Sequence, residues 1–173
     1  MTPLGPDKFA RLLRLHLPRM TRLAVRLCGD VDAAEDIVGD ALLRATRHYP
    51  RFRGESAFAT WLFRIVINCF RDSLRTRRAR LASPEPVGDP PDPAEPVADQ
   101  VGAAELGERV ALCISSLPPR QREALVLTAF EGLASEEAAS VMETTAQNVR
   151  VLVHHARTRL KKQLGALLEV QHD

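Results

Sequence analysis

The chain has 173 residues, 45% of them hydrophobic and 27% charged, a composition typical of soluble globular proteins. No apolar run approaches the roughly 20 residues needed to cross a bilayer. The charged N-terminal stretch has no signal-peptide cleavage pattern, so a cytoplasmic protein is expected. Cys28, Cys69 and Cys113 are odd in number and form no C-x-x-C pair, so neither a disulfide framework nor a metal site is expected.

The net charge of +2 hides an uneven distribution. Residues 1–80 carry 16 Lys/Arg against 8 Asp/Glu, residues 81–105 carry 6 acids and no base, and residues 106–173 balance 8 against 8. A basic front and a locally patterned back point to an anionic partner.

Helical spacing of apolar residues begins at once. Phe9, Leu12, Leu13 and Leu17 form one stripe, and Met20, Leu23, Ala24 and Leu27 another. Pro18 either kinks one helix or opens a second. Gly29 stands where a C-cap glycine would. In "DAAED", Asp32 and Glu35 are placed as a capping box for the next helix. Ile37, Val38, Ala41, Leu42 and Ala45 form its apolar side, and Pro50 ends it after about Tyr49.

A third helix is expected over residues 58–80. Phe58, Leu62, Ile65, Val66 and Cys69 fall on its core side, while Thr60, Arg64, Asn68, Arg71 and Arg75 fall together elsewhere. Trp61 stands at their border. Residues 81–105 hold six of the twelve prolines and one sign of charge, a composition that favours an extended tether over a packed element.

Beyond the tether, "SSLPPRQREALVLTAFEGL" starts a helix at its prolines, with Ser116 as cap candidate and Gly132 as terminator. "ASEEAASVM" is a short helix with Ser135 as its cap, "ETT" a turn, and "AQNVRVLVHHARTRLKKQL" a longer basic helix. Helix, tight turn and longer helix is the helix-turn-helix pattern. The fold class expected is therefore all-α: two small helical domains, 1–80 and 106–173, joined by an acidic Pro-rich linker, 81–105. The second domain contains the helix-turn-helix.

By itself, the Arg64–Asn68–Arg71–Arg75 stripe is compatible with a plain solvated helix face. A single-strand platform also fits: arginines for phosphates, an indole for stacking and an amide for a base edge. The preceding "RFRGESAFAT" adds a donor-rich loop. On the last helix, Val149, Leu152, Val153, Ala156, Leu160 and Leu164 make the inner stripe. Gln147, Arg150, Val151, His154, Thr158 and Lys161 make the outer one, with Arg157, Arg159 and Lys162 near its margins. Gln147 and Arg150 suit adenine and guanine edges, and Val151 suits a thymine methyl. Thr145 sits where a cap hydroxyl and free N–H groups hold a phosphate. The plain alternative is a terminal helix that binds a protein. His154 and His155 lack the i, i+4 spacing of a helix-borne zinc pair. No Gly-rich phosphate loop, nucleophile–base pair or metal-ligand cluster is evident, so no enzymatic activity and no cofactor are expected.

Several stretches together resemble the extracytoplasmic-function group of bacterial RNA polymerase sigma factors. "GDVDAAEDIVGDALLRA" is similar to that group's polymerase-binding helix and "FRGESAFATWLFRIVIN" to its −10 segment. "LPPRQREALVLTAFEGLASEEAA" with "NVRVLVHHARTRLKKQL" is similar to its −35 domain. The resemblance spans residues 7–165. It implies that Asp36, Asp40, Leu43 and Arg44 dock on the polymerase clamp coiled coil, with the polymerase flap as a further partner. It implies that Arg53, Gly54, Ser56 and Phe58 belong to a loop that captures a flipped promoter base, with Trp61, Arg64 and Asn68 on the helix beside it, extended along the stripe by Arg71 and Arg75. Thr145, Gln147, Asn148, Arg150, Val151, His154 and His155 match the recognition-helix region, and Arg157 flanks it. An anti-sigma protein is an implied partner, and the acidic tether is expected to run through the polymerase toward the RNA exit path.

The chain departs from that pattern at Gly39 and Thr46, where Gln and Trp are usual. It departs again at Glu143–Thr144 and Val151–Leu152, where Gly-Ile and Ser-Arg are common. The function expected is promoter recognition as a polymerase subunit. A stand-alone helix-turn-helix regulator, or a sigma-like module that only sequesters a regulator, is the competing reading.

Overall fold

The computed structural model describes residues 5–54, 56–82 and 103–169, and among them every regular element is helical. Residues 83–102 of the tether expected over 81–105, and Glu55 in the loop before α3, lie outside the described residues. The first module holds α1 (Pro6–Cys28), α2 (Val31–His48), a 3-10 turn (Tyr49–Arg51) and α3 (Phe58–Leu81). The second holds α4 (Ala103–Ser115), α5 (Pro119–Leu125), a π turn (Val126–Phe130), α6 (Ser135–Met142) and α7 (Ala146–Glu169).

Pro18 lies inside a single α1 on its exposed side. Its missing N–H removes one backbone bond, and the flanking Met20, Leu23, Ala24 and Leu27, all fully buried, hold the helix in place. Gly29 closes α1 at φ 73°, donating its N–H to the Val25 carbonyl at 2.8 Å. That left-handed backbone favours glycine. The cap of α2 is not Asp32: Asp30 takes the position, its carboxylate accepting from the Ala33 N–H at 2.7 Å. The helix starts one turn-edge earlier than the hydrophobic pattern indicates, because Gly29 already ends α1 and leaves Asp30 extended. Ala34, Ala41 and Ala45 are fully buried on α2; small side chains there let α1 and α3 approach closely.

The α3 core side is wider than the expected stripe. Phe63, Ile67 and Phe70 are buried as well, and so is Thr60, expected on the polar side, whereas Ile65 is half-buried. The reason is a second packing partner. Buried side chains of α3 join those of α1, α2 and the second module in one continuous core, so two flanks of α3 are covered.

In the second module, α4 begins inside the stretch expected to be linker and ends at Ser115. Ser116 does not cap α5. Its hydroxyl donates back to the Cys113 carbonyl at 2.8 Å, and Pro118 is the N-cap residue. The expected single helix after the prolines is instead α5 followed by a π turn, which Gly132 closes at φ 72°. Ser135 is the first residue of α6; Ala134 caps it, and its N–H is satisfied by the Glu137 carboxylate at 3.0 Å. Glu143, in the departed Glu143–Thr144 turn, takes a left-handed φ of 55°.

Burial pushes the thiols of Cys28 and Cys69 up to about 11 and that of Cys113 above its ordinary value, so these groups stay protonated at neutral pH. Leu23 is fully buried in the core. Leu23→Ala is expected to lower the unfolding free energy by about 2–5 kcal/mol, read by urea titration; a change near zero would show that this site is not tightly packed.

Candidate nucleic-acid interface

The expected single-strand residues divide into three environments. Arg53 and Gly54 are exposed, Gly54 at φ 73°, so the loop turns sharply there. Ser56, Trp61 and Arg64 join Arg51, Phe52 and Arg53 around a cleft of about 340 Å³, and Ser140 of α6 closes its far wall. Trp61 is half-buried, 5.1 Å from the Phe52 ring centroid and 5.4 Å from that of Phe58. Phe58 itself is not in the loop. It begins α3 and lies within an aromatic cluster, edge-on to Phe9 at 6.1 Å and to Phe52 at 5.6 Å. Its contacts make it a support for Phe52 and Trp61, which line the cleft.

The upper part of the stripe on α3, from Arg64 to Arg71, is covered by the second module. Arg64 donates to both the carbonyl and the hydroxyl of Ser140, at 2.7 and 2.8 Å. Arg71 makes a two-pronged pair with Glu123 of α5, at 3.0 and 2.7 Å, and reaches the Met142 carbonyl at 3.3 Å. The Glu123 side chain is 0% exposed and is also bound by Arg120 at 3.1 Å. Asn68, between Arg64 and Arg71 on the same face, is half-buried. Arg75 stays exposed and pairs with Asp72. Sequence reasoning missed Glu123 and Ser140, because nothing local in "RQREAL" or "EEAASVM" says which module will cover them.

The α2 surface is open. Asp36 and Asp40 are exposed and Leu43 is 59% exposed. Gly39 lies between them with no other group within 4 Å of where a Cβ would be, so it leaves a notch in the face. Thr46 points its hydroxyl back to the Leu42 carbonyl at 2.9 Å. Arg44 is tied away from that face, donating to Asp72 of α3 at 2.7 Å. Partial burial disfavours the Asp72 charge, but its bonds to Arg44 and Arg75 outweigh that and hold its carboxyl below the ordinary value; Arg44 is correspondingly raised.

On the last helix the expected residues present one outward surface. Thr145 caps α7, its hydroxyl accepting from the Asn148 N–H at 3.1 Å, while the Asn148 amide donates to Thr144 at 2.9 Å. Arg150 bridges Gln147 at 3.2 Å and Glu136 of α6 at 3.5 Å. Val151 is 40% exposed, and His154, His155 and Arg157 are exposed beyond it. Arg150, His154 and Arg157 share a second cleft of about 310 Å³ with Ser135, expected only as a helix cap, and with Thr128, which nothing in the local sequence marks. Leu152 is half-buried, so the departure at that position serves packing. Among the described residues no group of His, Cys, Asp and Glu is arranged to hold a metal ion, and no helix is long and apolar enough to cross a membrane.

Two family models match separate parts of the chain. A model of sigma-70 region 2 matches residues 12–80 and one of sigma-70 region 4 matches residues 107–160. The chain is 35% identical over 161 residues to the ECF RNA polymerase sigma factor SigE of Mycolicibacterium smegmatis, covering 89% of this chain and 60% of that protein. It is 31% identical to the RNA polymerase sigma-H factor of Pseudomonas aeruginosa, covering 92% of this chain and 88% of that one. Among solved structures, the sigma factor RpoE in complex with the anti-sigma factor NepR from Bartonella quintana superposes with a TM-score of 0.72 at 27% identity, covering 92% of this chain and 98% of that one.

Two acid substitutions separate the buried pair from the exposed one. Glu123→Gln is expected to cost about 3 kcal/mol, because it leaves two arginines without their buried countercharge. Asp72→Asn is expected to cost about 1 kcal/mol or less, since its partners are partly solvated and screened. A depressed folded-state pKa gives stability that is present above the unfolded value. The wild-type advantage over Asp72→Asn is therefore expected at neutral pH and lost as pH falls below 3.8, the ordinary value. Urea titrations across pH check both, and equal costs for the two variants would contradict the assignment.

Proposed function

The chain belongs to the extracytoplasmic-function group of sigma-70 RNA polymerase sigma factors, and from that premise we propose that it directs initiation at a specific set of promoters by reading a −35 element as duplex and a −10 element as single strand. The observation that carries this reading is the segregation of two nucleic-acid-compatible faces onto two modules. One is an aromatic-walled cleft with arginines along α3. The other is a capped basic helix whose outer surface holds Gln147, Arg150 and Val151. A stand-alone helix-turn-helix regulator has use for the second face alone.

In this reading residues 1–80 form the module for polymerase and the −10 element, 81–105 the linker, and 106–173 the −35 module. Core polymerase docks its clamp coiled coil on the open α2 face at Asp36, Asp40 and Leu43. Arg44 acts from behind through Asp72, which fixes α2 against α3. An unstacked base enters the cleft between Trp61 and the Arg53–Gly54–Ser56 turn. Taking a base from the duplex costs a few kcal/mol, and stacking on an indole returns about 1–3 kcal/mol per base. Arg64, Asn68, Arg71 and Arg75 then follow the strand along α3. In the −35 module the Thr145 cap and the first turn of α7 receive a backbone phosphate. Gln147, Arg150 and Val151 face base edges, while Asn148, His154, His155 and Arg157 contact the flanks. The flap of polymerase and an anti-sigma protein complete the set of partners; the similar RpoE was solved with such a protein.

In vitro transcription with core polymerase over a promoter library tests the proposal. New start sites that depend on this chain are expected, and none would overturn it. Asn68→Ala is expected to weaken promoter opening and relax discrimination in the upstream part of the −10 element. Arg150→Ala is expected to cost about 1–3 kcal/mol at one −35 position, the worth of a bidentate base contact, leaving use of other positions intact.

A further inference from the structure

We propose that the outer face of α1 is a third nucleic-acid contact, a sequence-independent seat for the phosphate backbone of duplex DNA. The proposal goes beyond the −10 and −35 assignments and rests only on their shared premise, that the chain binds promoter DNA.

The Lys and Arg residues of α1 divide by environment. Arg19 and Arg26 are engaged: both pair with Glu131, and they lie over the Phe63 and Phe130 rings at 5.0 and 4.6 Å. Lys8, Arg11, Arg14 and Arg22 are exposed, and among the described residues none of them has a hydrogen bond, an ion pair or a ring contact. At 3.6 residues per turn, Lys8, Arg11, Leu15, Pro18 and Arg22 recur at alternating steps of three and four, so they share one side of the helix, with Arg14 at its edge. Asp7, in the first turn, is the acid that accompanies these four cations, and the face stays positive.

A charge stripe on a helix is commonly just a solvated surface, but three features give this one a ligand. Three of its four cations are arginines, whose planar fork takes two phosphate oxygens at once and is weakly hydrated. From Lys8 to Arg22 the face is about 21 Å long at 1.5 Å per residue, a length over which duplex DNA presents roughly twelve backbone charges. Lys8, Arg11 and Arg14 also stand three apart, where like charges repel and weaken the helix; an external polyanion relieves that repulsion. Leu15, 69% exposed amid the cations, is placed to rest on deoxyribose carbons between phosphates.

A lipid surface fits less well. The apolar side of α1, with Met20, Leu23, Ala24 and Leu27, is buried in the core, so Leu15 alone is left to enter a bilayer, whereas interfacial helices insert a whole apolar face. An acidic protein fits less well for a related reason, since protein interfaces are built around an apolar centre. A backbone contact carries no sequence information. It adds affinity that falls with salt and fixes the position of the first module on the duplex.

The test measures affinity of the full-length chain, in holoenzyme with core polymerase, for a fluorescent promoter fragment between 50 and 200 mM salt. Wild type is compared with Arg11→Gln/Arg14→Gln/Arg22→Gln and with Arg11→Lys/Arg14→Lys/Arg22→Lys. Each lost phosphate contact lowers the slope of log affinity against log salt by about 0.9, so the Gln variant is expected to lose about 2.7 of slope and to shed about forty-fold less affinity than wild type across that range. The Lys variant keeps the charge and is expected to keep the wild-type slope. Both are expected to unfold at the wild-type urea midpoint, because the substituted side chains are exposed. Equal slopes for the Gln variant and wild type would overturn the proposal. So would an equal fall in the Lys variant, which would mark a structural effect in place of a lost charge. Binding to anionic phospholipid vesicles that is lost in the Gln variant, with the DNA slope unchanged, would overturn it in favour of a lipid surface. Arg150→Ala, measured alongside, keeps the two readings apart. If it loses −35 discrimination while the Gln variant keeps its slope, the α1 contact alone fails; if no protein gives promoter-dependent binding, the functional reading fails with it.

Discussion

The arrangement depends on one carboxylate. Glu123 is withdrawn from water on α5 and is met by Arg120 from its own helix and Arg71 from α3. An ionised carboxylate taken out of solvent is tolerable only with close countercharge. Arg120 supplies part of it from within the second module, and Arg71 supplies the rest from across the interface. The same residue thus secures the α5 region and draws the two modules together. Around it, Glu131 and Arg122 repeat the scheme with polarity in both directions: an acid of the second module on two arginines of α1, and an arginine of the second module on the carbonyl end of α1.

The consequence for the α3 stripe is that its arginines have two possible partners of similar chemistry. A carboxylate and a phosphate each present paired oxygens to a planar guanidinium. In this structure Arg71 has the carboxylate; a phosphate offered at the same guanidinium would compete for it. Because Asp72 secures Arg44 and Arg75 separately, exchange at Arg71 need not disturb the α2–α3 packing.

Much of the fold is legible in the chain. The Gly29 terminator, the helical stripes of α1 and α2, the short helix before a tight turn and the Thr145 cap all follow from local chemistry and appear where that chemistry puts them. What is not legible involves distant partners. Thr60, Phe63, Ile67 and Phe70 are buried because α3 is covered on two flanks, and a helical wheel drawn for one covered flank cannot reveal that. The cap at Asp30 and the π turn at Val126–Phe130 are local, yet they depend on where the neighbouring element stops. The residues around the Trp61 cleft are identifiable by type. Their engagement is not, because Glu123 and Ser140 sit 52 and 76 positions from Arg71 and Arg64 in the chain.

The central claim is that Arg71 and Glu123 are energetically coupled across the modules in the free chain. A double-mutant cycle of Arg71→Ala and Glu123→Ala, followed by urea unfolding of full-length protein, measures it directly. The account predicts a coupling energy of about 2 kcal/mol, at the upper part of the range for residues in one buried network. Single-variant costs that add to within about 0.5 kcal/mol, as for residues that do not touch, would contradict it.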